Sequence, residues 1–240
     1  NNPQMLNALT VATFQLLEQM LAGLEIDNAV RVVLLTGAGD KAFTAGVERK
    51  ERESSPLRAD ELGPDSEINR AFRALGKPTV AAVNGFAITG GMELAINCDI
   101  LVASTNARFA DTHARVGIVP GWGMSQILPR LVGPVRARYM SYTGNFVDAA
   151  TAKEWGLVLE VLPPGELLPY CRRLAAETAS CDRATLADVR RCINGGLETT
   201  LEAGLALEGR LSKAATLRMD RSRFAATREA VMARGKEQSG

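Results

Sequence analysis

Gly90-Gly91-Met92-Glu93 ends the stretch Asn84–Glu93, which a β-branched run, Thr79–Val83, feeds into and a helix-like run, Met92–Asn97, leads out of. Backbone without a Cβ turns sharply and admits close approach. The first amides of a helix have no internal partners and favour an anion or a developing oxyanion. A carboxylate one turn further on, Glu93, is placed to move protons beside that charge. The whole stretch Asn84–Glu93 therefore reads as an anion-stabilising backbone with an acid/base group attached. A second glycine-punctuated strand end, Lys41-Ala42-Phe43-Thr44-Ala45-Gly46-Val47, follows the turn Gly37-Ala38-Gly39-Asp40 and repeats the pattern.

The elements that position these residues are legible in outline. Thr10 is a helix N-cap, followed by Val11, Phe14, Leu17, Leu21 and Leu24 at helical spacing, with Gly23 weakening the end. Val30–Thr36 reads as a buried strand. The stretch 48–65 is charged, carries Pro56, Gly63 and Pro64, and suits a surface loop or a lid over the site. A helix through Ile68, Phe72 and Leu75 stops at Gly76 and Pro78. Strands follow at Thr79–Val83 and Ile100–Ala103, with Ala107–Pro120 read as an ordered loop with short pieces. Gly121-Trp122-Gly123 opens a helix expected to end near Pro129. From Pro134 the pattern is helical apart from a short strand within Leu157–Leu162, and three or four amphipathic helices follow from Glu166. Strands interleaved with helices first, and helices last, predict an α/β core with a helical C-terminal part. The division expected is a core over 1–185 and a helical region over 186–240.

Composition narrows the partners. A net charge of +1 over 240 residues gives no basic footprint for nucleic acid, although 28 basic residues remain for a phosphate-bearing ligand. Aromatics at 5% are too few for base-stacking platforms. No apolar run reaches the length of a membrane span. Cys98, Cys171, Cys181 and Cys192 show no CxxC spacing, so they read as reduced thiols of a cytoplasmic protein and not as metal ligands. The chain starts at Asn1 without a methionine, which leaves room for a preceding segment.

The ordered set Lys41–Val47, Val83-Asn84-Gly85 with Gly90–Ala95, Cys98-Asp99-Ile100 and Gly117-Ile118-Val119-Pro120-Gly121 resembles the crotonase (enoyl-CoA hydratase/isomerase) superfamily over nearly the whole chain. The resemblance implies a spiral of ββα units in two roughly perpendicular sheets. It also implies a C-terminal helical subdomain that builds homotrimers, often paired into hexamers, and an acyl-CoA thioester substrate. No cofactor is implied beyond the coenzyme A of the substrate. The thioester carbonyl would rest on the backbone amides of Val47 and Gly90, each worth on the order of 3 kcal/mol. Gly91 would lie against the substrate beside them.

Glu93 matches one of the two hydratase glutamates. The second falls four residues after the phenylalanine of Ala107-Arg108-Phe109, where this chain has His113, its one histidine. Imidazole titrates near neutrality and serves as base or acid, so His113 is the expected partner of Glu93, with Asp111 and Thr112 ordering the loop. Gly121, where dienoyl isomerases of the superfamily carry aspartate, would leave room for water, and Trp122 would cover the acyl group. For the coenzyme A end the resemblance points to the backbone around Ala42–Ala45, to Lys41 and Arg49, and to Arg234 or Lys236 of a neighbouring copy. The activity expected is addition of water across the double bond of a trans-2-enoyl-CoA. An isomerase, a CoA-ester hydrolase or decarboxylase, and a non-catalytic acyl-CoA-binding protein are the alternatives.

Overall fold

Thr10 starts the first helix as its side chain accepts the Thr13 amide at 3.1 Å. A computed structural model of the chain describes residues 1–48, 51, 63, 66–219 and 221–238. Helix α1 (Val11–Ile26) runs past Gly23. Lys77, only 6% exposed, donates to the Leu24 and Asp27 carbonyls at its end. A buried ammonium is thereby spent on the partnerless carbonyls of a helix C-terminus, where the dipole favours a cation.

Eight strands form two sheets. The first contains β1 (Val33–Thr36), β3 (Thr79–Val83), β5 (Ile100–Ser104) and β8 (Glu160–Leu162), in that order and wholly parallel. The second contains β2 (Ala42–Thr44), β4 (Phe86–Ile88), β6 (Arg108–Ala110) and β7 (Val147–Asp148), with only the last pair antiparallel. Up to β6, successive strands thus alternate between sheets: each of β1, β3 and β5 feeds the first sheet and the next strand feeds the second. Helices α2 (Glu67–Ala74) and α3 (Gly90–Ile96) carry the chain back between these steps. The result is the expected ββα spiral.

β3 reads as an unbroken apolar run because both of its faces are covered. Ala81 and Val83 join the main core with Leu101, Ala103 and Phe109. Val80 and Ala82 point the other way, onto Leu167 and Cys171 of α7 (Pro164–Ala179). Between these come α4 (Met124–Val132), α5 (Pro134–Thr143) and α6 (Ala149–Glu154). Pro129 does not end α4 but sits inside it. The residue whose carbonyl loses that amide, Ser125, is exposed, so the loss is not buried in the core. Ala107–Pro120, expected as an ordered loop with short pieces, contains two of them, β6 and a 3-10 turn at His113–Val116. Most of the stretch 48–65, the expected lid, lies outside the described residues.

Three glycines let backbones touch at the strand ends. A Cβ on Gly37 would lie 2.1 Å from the Ala42 carbonyl oxygen, and one on Gly85 2.1 Å from that of Lys41. One on Gly91 would lie 2.2 Å from that of Thr44. Asn84 binds the same turn, accepting from Gly37 N at 3.1 Å and donating to Gly39 O at 2.8 Å.

The chain divides into two compact units, Asn1–Ser180 and Cys181–Gly240. In the second, α8 (Arg183–Leu197) and α9 (Leu201–Arg218) are capped by Asp182 and Thr200. They pack through glycine, with a Cβ on Gly204 only 3.3 Å from Gly196 Cα. α10 (Arg221–Gln238) follows. Among the described residues no helix is long and apolar enough to cross a membrane, and no cluster of His, Cys, Asp and Glu could hold a metal.

Adding one methyl group tests the contact at the strand end. Gly85→Ala is expected to destabilise the fold by about 3 kcal/mol, the upper range for overpacking, read as a lower urea midpoint. Gly23→Ala, in open space within α1, is expected to stabilise by about 0.5–1 kcal/mol.

Candidate active site

Glu93 is the fourth residue of α3 and is 1% exposed. Its Oε1 accepts from the amides of Trp122 at 2.8 Å and Met124 at 3.2 Å. Two charge-assisted bonds of this kind pin a carboxylate that burial would otherwise penalise. The turn that offers these amides is built by Gly123 at φ +109°. It is stitched to α3 by Asn97, whose Nδ2 donates to the carbonyls of Glu93 and Trp122, both at 2.9 Å. Oε2 is left to face His113, with Nε2 3.5 Å away.

Sheet register explains why residues twenty apart in sequence meet. Ile88 of β4 pairs with Ala110 of β6, and the chain then continues in both strands beyond the same sheet edge. Thr89 donates its amide to Ala110 O at 2.8 Å, and its hydroxyl lies 2.5 Å from that of Thr112. Thr89 holds φ +54°, a left-handed conformation that a β-branched residue rarely adopts. These bonds to Ala110 and Thr112 over-determine it.

His113 is 7% exposed and lies between two carboxylates. Asp111 Oδ1 contacts its Nδ1 at 2.6 Å and also accepts its backbone amide at 3.2 Å. With Asp111 ionised, Nδ1 must donate, and Nε2 is the nitrogen presented to Glu93. Burial by itself pushes the imidazole down. The hydrogen bonds and charges of Asp111 and Glu93 together outweigh it and raise His113 to about 9. Burial likewise opposes ionisation of Asp111, but the bonds from His113, with the Ser141 hydroxyl close by, hold it below the usual carboxylate range. Asp111 Oδ2 is buried without a partner at hydrogen-bonding distance among the described residues. Asp111, expected only to order the loop, does that and also grips the imidazole. An aspartate two residues before a histidine is the spacing of an Asx turn, a signal available in the sequence.

Val47 and Gly90 are neighbours: a Cβ on Gly90 would lie 3.4 Å from Val47 Cγ2. Val47 bridges in parallel to Leu9, whose partners are Gly46 O at 2.8 Å and Glu48 N at 3.0 Å. That pattern turns the Val47 amide away from Leu9. Among the described residues neither the Val47 nor the Gly90 amide has an acceptor. Gly46 needs its φ of +90° here, since a Cβ on it would meet Ile88 O at 2.7 Å. Trp122 covers Gly90, its Cζ3 being 2.9 Å from the position a Cβ would take, and stacks edge-on with Phe14 at 4.9 Å.

The other expected contacts distribute differently. Gly91 faces Thr44 with its bare α-carbon, so packing accounts for that glycine. The carbonyl of Ala42 accepts from Asn7 at 2.8 Å and Asn84 at 3.2 Å, and the amide of Ala45 donates to Leu6 at 3.0 Å. Both groups thereby tie this strand end into the fold. Gly121 is half-buried next to Trp122 and binds Gly63 N through its carbonyl at 2.8 Å. Lys41 is exposed, as are Arg234 and Lys236 on α10 in the second unit. Arg49 lies outside the described residues.

The pinned imidazolium links stability to pH. Its folded value of about 9 exceeds the unfolded 6.5, so its contribution is complete below pH 6.5 and is lost as pH rises through 9. The urea midpoint is expected to fall across that window by the equivalent of about 3 kcal/mol. His113→Gln should flatten the decline.

The family model for enoyl-CoA hydratase/isomerase matches residues 1–233. A probable peroxisomal enoyl-CoA hydratase 1 of Arabidopsis thaliana is 37% identical over 235 residues, covering 98% of this chain and 88% of the relative. The short-chain-enoyl-CoA hydratase of Clostridium acetobutylicum is 37% identical over 210 residues, covering 87% of this chain and 80% of that protein. The crystal structure of an enoyl-CoA hydratase from Mycobacterium tuberculosis H37Rv superposes with a TM-score of 0.75 at 41% identity, covering 89% of this chain and 91% of the other. Together with the ββα spiral, these similarities establish that the chain belongs to the enoyl-CoA hydratase/isomerase family.

Proposed function

We propose that the protein catalyses the reversible addition of water across the Cα=Cβ bond of trans-2-enoyl-CoA thioesters. The observation that carries this reading is the buried pair Glu93 Oε2 and His113 Nε2, 3.5 Å apart, in a site whose neighbouring strand ends offer the Val47 and Gly90 amides. In the proposed reaction those two amides donate to the thioester oxygen and stabilise the negative charge that develops there. Glu93 Oε2 takes a proton from water as the water oxygen bonds to Cβ. His113 gives its Nε2 proton to Cα, collapsing the enolate. Glu93 then passes its proton to His113, and both groups return to their starting states. The elements of one water have been added, and no further cofactor is needed.

Two features support this division of labour. His113 lies near 9 in the fold, so at neutral pH it is a cation suited to donate, and the carboxylate is the base. An isomerase needs a single base, whereas a carboxylate and an imidazolium facing each other supply the separate acceptor and donor that hydration uses. Trp122 over Gly90 would form a wall of the acyl pocket, and Lys41 is exposed for the phosphates of coenzyme A. Self-assembly into trimers or hexamers belongs to the same proposal. It is supported by the exposed Ile193, Leu197, Leu201 and Leu205 of α8 and α9, helices with no buried residue of their own. A cytoplasmic setting fits the four cysteine thiols, none of which is paired in a disulfide with another described cysteine.

The test is loss of the conjugated thioester absorbance of crotonyl-CoA, with mass analysis for the gain of one water. Glu93→Gln and His113→Gln are each expected to lower kcat by about 10²–10⁴-fold with KM little changed. Intact binding without turnover at any acyl length would sink the hydratase reading. A double-bond shift without a mass gain would replace it with isomerisation.

A further inference from the structure

We propose that Asp111 is a positioning residue for the hydration reaction, fixing the orientation and charge of His113 so that Nε2–H faces Glu93 and the substrate Cα. The proposal rests on the hydratase reading for its catalytic consequence and on geometry for the rest. One oxygen, Oδ1, reaches both Nδ1 of the ring at 2.6 Å and the backbone amide of the same residue at 3.2 Å. The ring is therefore held at two points by a carboxylate that is itself only 1% exposed. A glutamate in place of His113 would need no such partner, because a carboxyl group has no second nitrogen to orient. Histidine does: its two nitrogens are distinct, and the bond made by one decides what the other offers.

Loop ordering alone leaves part of the arrangement without a purpose. An Asx turn needs only the backbone amide, and a neutral asparagine makes it equally well. Here the acceptor is a buried charge whose other oxygen, Oδ2, has no hydrogen-bond partner among the described residues. An under-satisfied carboxylate is expensive to bury, and a cationic ring against it offsets that expense. Among the described residues the charged groups that face His113 are Glu93 from α3 and Asp111 from the end of β6. From α5 the Ser141 hydroxyl lies near Asp111 without reaching hydrogen-bonding distance, while Arg115 turns its Nε to Thr143 O at 2.6 Å. With Glu93 acting as the base, Asp111 is the group left to keep the ring charged while Glu93 carries a proton.

His113 is the one histidine of the chain, so its imidazole titration is read directly by nitrogen-15 NMR of protein purified without a polyhistidine tag. The wild-type ring is expected to stay protonated well above pH 7. In Asp111→Asn its titration should fall by about one unit or more. The basic limb of the kcat–pH profile for crotonyl-CoA should move down with it, kcat dropping about 10–100-fold at nearly constant KM. In a His113→Gln background, Asp111→Asn should add no further loss. A wild-type ring titrating at or below the ordinary value of about 6.5 would overturn the proposal without recourse to any variant. An unchanged titration in Asp111→Asn, or a further loss in the double variant, would overturn it as well. High titration in the wild type, lowered in Asp111→Asn, without any hydration would reject the hydratase reading while upholding the hold of Asp111 on the ring.

Discussion

The site depends on backbone meeting backbone where the strands end. At Gly37, Gly85 and Gly91 the α-carbons lie so close to neighbouring carbonyls that a single methyl group would overlap them. This contact draws the ends of β2 and β4 together and brings Val47 beside Gly90. Everything chemical is then hung on short connections from a rigid frame: Glu93 on the first turn of a buried helix, His113 three residues past a strand. A preorganised site needs its donors fixed before the substrate arrives, because reorienting them during reaction would consume the advantage they confer. Packed main chain provides that fixity more firmly than side chains do.

Charge is arranged around the same frame. One oxygen of Glu93 is tied to two main-chain amides, leaving the other to point at His113. His113 in turn sits between two carboxylates, so the row Asp111–His113–Glu93 carries one more negative than positive charge. The row is buried, and each member is intelligible only with the next. Removing the middle cation would leave two carboxylates facing each other in a poorly solvated space.

Much of this was legible in the sequence, for identifiable reasons. Thr79–Val83 was found to the residue because a strand covered on both faces is apolar throughout, and Thr10 announced its helix by its hydroxyl. Glu93 could be singled out because the glycines before it mark a tight turn. β4, β6 and β7 are only two or three residues long and carry too little periodicity to register, so of the second sheet only the strand end at Lys41–Val47 could be read without the family resemblance. Pro129 misled because the rule against proline inside a helix weakens where the residue that loses the amide is exposed. The proximity of His113 to Glu93 is set by the pairing of Ile88 with Ala110, a relation between distant segments that no local pattern contains. Asp111 was within reach of a local rule but was given only its local role.

The first sheet has a consequence for how the protein comes into being. Its strands pair in parallel across long stretches of chain: Val33 meets Thr79, and Val102 meets Glu160. Contacts of this kind reward the chain only after a long loop has been closed, which makes folding slow. On the ribosome, β1, β3 and β5 emerge with the β5 edge uncovered until residues 160–162 appear. Glu93 likewise waits some thirty residues for the amides of Trp122 and Met124. The nascent chain therefore exposes an unpaired apolar edge during much of its synthesis, a period when chaperones and not the fold itself must guard against aggregation.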